Sequence, residues 1–197
     1  MSTTLTKNTT NNVNGLALEL TEWKKFSVEN TTNCYIYALN LPKNPYTNEY
    51  YKSWEHIQPG HLGGNAQISN ILYSPFDADE VISLVKKDLQ AVGMELVEST
   101  YNEVREGKWW KVALVFDNDG LFGDYHWYRQ NDDGTWSHKP GRTAVTNKDE
   151  SDKIITNPET CDRGRYGTFV GFFMIRKKRG RKSNALKQLI EKIKKES

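Results

Sequence analysis

The chain has 197 residues, 12% of them aromatic, and a formal net charge of +2. That length suits one domain with a buried core. No run approaches the ~18 consecutive apolar residues of a membrane-spanning helix, and two cysteines in so long a chain do not make a disulfide-stapled scaffold. The charge is uneven: residues 176–197 carry +8 and the 175 residues before them −6, which together give the net +2.

Residues 1–14, MSTTLTKNTTNNVN, are polar and low in complexity and are expected to be a disordered leader. They lack a basic start followed by an apolar block, so the expected location is the cytoplasm, or outside the cell by a route that needs no classical signal peptide. Leu16 to Phe26 fits a short helix or a strand. Asn33 is expected to open a helix with Cys34 at its start, which ends before Pro42. Residues 42–75 form a long irregular connection rich in Pro, Gly, Asn and Tyr, and such a loop inside a compact domain points to function.

SPFDADEVISLVKKDLQAVGM, residues 74–94, predicts an amphipathic helix. Asp77 or Asp79 can cap it, Val81, Leu84, Val85 and Leu89 form the apolar stripe, and Gly93 stops it. The period then changes from 3.6 to 2. ELVEST, WKVALVF, DYHWYRQ, TWSHK and TFVGFFMI read as strands, with turns at DNDG and NDDG. A cysteine helix, a loop, a second helix and a run of mostly antiparallel strands make an α+β domain over residues 15–175.

Cys34 follows Thr31, Thr32 and Asn33, residue types that cap helices. At a helix N-terminus a thiol is expected to have a lowered pKa, and the unpaired backbone N–H groups there can hold an oxyanion. Cys161 follows a turn at Asn157-Pro158 and reads as structural. Of the four histidines, His56 and His61 flank IQPG without acidic or cysteine company, so they read as loop residues rather than metal ligands. No cofactor is implied.

His126 and His138 fall on one hairpin. A three-residue loop, Asp132, Asp133 and Gly134, with Gly134 in the left-handed position, sets Gln130 opposite Trp136, Arg129 opposite Ser137 and Tyr128 opposite His138. His126 shares a face with Tyr128, so the two histidines are diagonal neighbours. A histidine on a rigid strand beside a second polar ring is the geometry that a cysteine nucleophile needs.

These pieces resemble the papain-like cysteine hydrolases, most closely the NlpC-type cell-wall peptidases. NCYIYALN matches the nucleophile helix, QPGH the Pro-Gly loop, DYHWYRQ the histidine strand and WSHKPG the third position. The resemblance implies a papain-like, NlpC-like fold with Cys34 as nucleophile, His126 as base and His138 as orienting group. Asp124 and Asn157 are rivals for the third role. It also implies a peptide or peptidoglycan substrate, cut at an amide bond by a protein that fits a cell-wall-directed or injected toxin or effector. A transferase or deamidase could use the same triad, and a non-catalytic binding protein could keep the fold.

RKKRGRK, residues 176–182, precedes NALKQLIEKIKKES, in which Leu186, Leu189, Ile190 and Ile193 fall at helical spacing. Residues 176–197 therefore read as a basic amphipathic helix. It could dock on the domain or meet an anionic partner, nucleic acid or a membrane surface.

Overall fold

The computed structural model describes residues 21–64, 77–117 and 123–178. The leader at 1–14, the DNDG turn beyond Asp117 and the tail beyond 178 lie outside them. So does the end of the 42–75 connection. The ambiguous segment ends as helix, at residues 21–23, and helix α1 follows at Phe26–Glu29.

Helix α2 is Cys34–Ala38 and all five of its residues are buried. Asn33 caps it, its side-chain oxygen accepting the Ile36 N–H at 3.1 Å while its amide nitrogen donates to Ile57 O at 2.8 Å. One residue thus starts the helix and ties it to the loop. Leu39 closes the turn and Asn40 leaves it with φ +53°, a left-handed conformation that Asn tolerates better than most residues.

Helix α3, Ala78–Ala91, is capped by Asp77, which accepts the N–H groups of Asp79 and Glu80. Gly93, at φ +73°, turns the chain out of it. Val81, Val85 and Leu89 are buried, but Leu84 is only half-buried, and the fourth inward position belongs to Asp88. This carboxylate accepts the Tyr35 hydroxyl at 2.7 Å and the N–H groups of Gly60 and Gly63 at 2.8 and 2.6 Å. It anchors the Pro-Gly loop to both helices.

Five strands follow: β1 Met94–Ser99, β2 Trp110–Asp117, β3 Asp124–Gln130, β4 Trp136–His138 and β5 Thr168–Lys177. Every neighbouring pair is antiparallel and the order is β1-β5-β2-β3-β4. The last strand in the sequence is second in the sheet. A bulge between Leu114 and Val115 interrupts the β2–β5 register. β5 also corrects the expected boundary at 175. Arg176 pairs with Glu95 and Lys177 with Met94, so these two basic residues finish a strand rather than begin a helix.

Strand alternation sorts the core into two layers. Val112, Leu114, Phe116, Tyr125, Trp127, Phe173 and Ile175 face α2 and α3. Ala113, Val115, Tyr128, Trp136 and Phe172 face the opposite side, where the long segment between β4 and β5 covers them with Ile155, Cys161 and Tyr166. The domain is α+β, with helices on one face of the sheet and a loop layer on the other. Among the described residues no helix is long and apolar enough to cross a membrane.

Candidate active site

The turn between β3 and β4 sets the site. Asn131 N–H bonds Thr135 O at 2.8 Å, and Gly134 adopts φ +86°. The pairs are Gln130–Trp136, Arg129–Ser137 and Tyr128–His138. His126 and His138 therefore share the loop-side face, and His126 Nε2 lies 2.7 Å from His138 Nδ1.

The proton positions in this pair follow from the next bond. His138 Nε2 lies 2.9 Å from Lys148 O, a pure acceptor, so His138 carries its proton on Nε2. A neutral His138 then has a bare Nδ1, which accepts from His126 Nε2–H. His126 in turn is left with a bare Nδ1 that can accept a proton. Both rings are neutral near pH 7. Burial pushes the His126 pKa well below its ordinary value, helped by His138 and Arg165. Burial also lowers that of His138, against the pull of Lys148 O, Glu150 and Asp149.

Tyr166 stacks on the His126 ring, while Tyr128 and His138 meet it edge-on. A cavity of about 330 Å³ opens beside the pair, lined among others by Tyr128, Glu150, Arg165 and Tyr166. Arg163 shapes this wall by donating to the carbonyls of Tyr166, Pro158 and Gly167 at 3.0, 2.9 and 3.2 Å.

Cys34 reaches the same strand from the other layer. N–H and C=O groups of alternate residues point to the same neighbouring strand. Asn131 bonds toward β4, so Arg129, Trp127 and Tyr125 aim their backbone groups to that side as well. β4 pairing stops at Tyr128–His138, and beyond it the edge is met by the thiol. Cys34 Sγ points at Tyr125 O, 4.0 Å away, and the Trp127 N–H bears on the sulfur. The nucleophile candidate thus touches the backbone on either side of His126. Among the described residues no hydrogen bond joins the thiol to the imidazole.

The expected fall in thiol pKa is corrected. Burial pushes Cys34 up to about 12, against the Trp127 and Tyr35 N–H groups and the Lys139 charge, with Asp124 adding to the rise. Cys34 is only 7% exposed, and a five-residue helix sums too few peptide dipoles to overcome that burial. At rest the thiol is protonated.

The rival third residues are engaged elsewhere. Asp124 accepts Tyr166 OH at 2.9 Å and is ion-paired to Arg165. The Asn157 side chain accepts Glu159 N–H within its own turn. His56 meets Arg142, Cys161 is free and half-buried, and no group of three or more His, Cys, Asp or Glu among the described residues could hold a metal ion.

Sequence reading missed Asp88, Lys139 and Tyr166. Asp88 falls on the inward stripe, but its charge hid it from a reading that looked for apolar residues there, Lys139 reads as a strand end, and Tyr166 comes from a segment without periodicity. Gln58 was also missed, though it lies in the highlighted IQPG loop. It accepts the hydroxyl of Tyr125, the residue whose carbonyl faces the thiol.

No protein-family model matches the chain, and no solved structure matches it. Over 156 residues the chain is 32% identical to insoluble matrix shell protein 1 of Ruditapes philippinarum, an alignment that spans 78% of this chain and 85% of that protein.

Proposed function

Within the family of insoluble matrix shell protein 1, to which the chain belongs, we propose a chemical role: a papain-like thiol hydrolase that cleaves an amide bond. The observation that carries it is the directed bond chain from Lys148 O through His138 to His126, which leaves Nδ1 bare on a residue whose backbone neighbours, Tyr125 and Trp127, meet the Cys34 sulfur. The order of the parts supports the finer fold reading. A buried cysteine helix precedes an antiparallel sheet, with a histidine on one strand and a second histidine on the next.

In this reading His126 Nδ1 takes the Cys34 proton as the sulfur attacks the carbonyl carbon. His126 Nε2–H, donating to His138 Nδ1, spreads the positive charge that forms on the ring. The Cys34 N–H at the start of α2 holds the oxyanion, since the Asn33 side chain takes the Ile36 N–H and the Tyr35 N–H bears on the sulfur. The C–N bond breaks as His126 returns the proton to the leaving amine, and water then frees the acyl group from sulfur. A neutral thiol and a neutral imidazole are compatible with this order, because the proton moves during attack rather than before it. Substrates of the proposed class are peptides or the stem peptides of peptidoglycan. Transfer to another amine, or deamidation, would pass through the same thioester.

The test is digestion of purified peptidoglycan and, separately, of a protein library, by the parent protein and by Cys34→Ala. Release of new termini by the parent alone supports the reading. Equal profiles from both proteins end it.

The relative's name favours a second reading, that of an insoluble matrix component without turnover, which would require export. The basic stretch at 176–197 would then serve an anionic partner, nucleic acid or membrane. Retention in an insoluble fraction by Cys34→Ala as well as by the parent, with no cleavage by either, is the result that fits it.

A further inference from the structure

Lys139 follows His138 at the end of β4, and none of its surface reaches solvent. Its ammonium donates to three backbone carbonyls, Glu29 O at 2.6 Å, Thr32 O at 2.7 Å and Gly141 O at 2.8 Å. All three of its N–H donors are used. Two of the carbonyls belong to the segment that leads into Cys34, and Thr32 is only two residues before it. The lysine therefore bolts the nucleophile segment to the strand that carries His138.

A bolt alone does not need a charge. Burying an ammonium is costly even after relaxation, and among the described residues no carboxylate lies within ion-pair distance of this one. A neutral amide could bond two of the same carbonyls at less cost. Beyond ion-pair distance the Glu29 carboxylate helps to keep the ammonium charged, and a Cys34 thiolate would be the next opposite charge for it to face.

We propose, on the basis of the hydrolase reading, that Lys139 is a positioning residue whose buried charge holds the Cys34 thiolate formed when His126 takes the proton. The groups that act on the sulfur divide by sign. Asp124 opposes the anion but is paired with Arg165, and Tyr125 and Tyr166 are neutral hydroxyls beside it. Lys139 favours the anion from the end of β4. Glu29 and Cys34 in turn help to keep Lys139 charged, while Arg142 works against it.

The charge has a limited pH range, which makes the role separable from packing. Burial lowers the Lys139 pKa to about 8. The ammonium is present below that pH and is lost as pH rises through it, so its help to the thiolate must vanish over the same range.

The experiment follows iodoacetamide alkylation of Cys34 against pH in the full chain carrying Cys161→Ser. In that parent protein the rise of rate with pH should flatten near pH 8. Lys139→Gln keeps two donors and drops the charge, so its alkylation at pH 7 should be about tenfold slower, the effect of one unit in thiol pKa, and should converge on the parent above pH 8. Lys139→Arg keeps the charge at every pH and should lose the flattening. A ratio of Lys139→Gln to parent that does not change with pH, or a parent profile that rises as one smooth titration, overturns the proposal. The parent profile decides the matter even if Lys139→Gln does not fold. Alkylation reads the thiol rather than turnover, so failure of the peptidoglycan and protein digestions would sink the hydrolase reading while leaving this result to stand or fall by itself.

Discussion

Tyr166 lies flat on His126, ring centroids 5.2 Å apart and planes 28° from parallel, with its hydroxyl held by Asp124 at 2.9 Å. It keeps the imidazole dry. Tyr166→Ala should admit water to the ring and move the His126 pKa upward toward its ordinary value, because burial is the main cause of its depression. Tyr166→Phe keeps the stack and should leave it depressed. Titration of the histidine ring signals by NMR reads the difference, and equal values in all three proteins would mean that the stack does not shield the base.

The same depression predicts how stability depends on pH. A histidine with a folded pKa below its unfolded value binds fewer protons in the native state, so the folded protein loses stability as pH falls below about 6.5. Both His126 and His138 are shifted this way. The thermal midpoint should drop between pH 7 and pH 5, and His126→Gln should flatten that drop. A midpoint independent of pH over this range would contradict two buried neutral rings.

The raised thiol pKa reverses the usual labelling test. At pH 6 both thiols are protonated, and Cys161, half-exposed and with its pKa raised to about 11, should react with iodoacetamide before Cys34. Peptide mapping after brief exposure decides it. Preferential modification of Cys34 at pH 6 would mean that the thiolate is populated at rest.

The roles on the hairpin separate by substitution. His126 must accept a proton, so His126→Ala should cost as much turnover as Cys34→Ala, since members of such a unit are not additive. His138 only receives the Nε2–H of His126, so His138→Asn, whose amide oxygen can accept the same bond, should retain more turnover than His138→Ala. Gly134→Val should lower turnover and cost about 1–2 kcal/mol of stability, because a left-handed β-branched residue is strained and the diagonal depends on that turn. If His138→Ala turns over like the parent while Asp124→Ala is dead, the orienting role belongs to Asp124.

Asp88 should matter more than a lone carboxylate on a helix ordinarily does. Asp88→Ala leaves the Tyr35 hydroxyl and two glycine N–H groups unsatisfied in the interior, at a cost of about 3 kcal/mol or more. Urea unfolding measures it. A loss under about 1 kcal/mol would show that water replaces the carboxylate.

What could be read from the sequence was local. The hairpin register follows from one glycine, because turn length fixes which residues oppose each other across two strands. The period change after Gly93 and the Asp77 cap were legible for similar reasons. The strand order was not, since nothing in TFVGFFMI says that it inserts between β1 and β2. Nor could pattern tell that Lys139 points inward. Its environment is made of three carbonyls from residues 29, 32 and 141, and carbonyls have no signature in a sequence. The thiol's pKa was misjudged because a cap is visible in the sequence and burial by a distant strand is not.

β5 has two partners and no substitute. Among the described residues β1 bonds only to β5, and β2 meets β1's side of the sheet only through it. A chain that ends after Lys139 but before residue 168 thus keeps Cys34, His126 and His138 yet presents two open strand edges at once, one on β1 and one on β2. Open edges pair with whatever strand arrives. In a concentrated or crowded setting the nearest suitable strand is the β5 of another copy, and exchange of that strand would link copies head to tail into a growing chain. The position of one strand makes the fold indivisible, and it makes breakage a route to assembly.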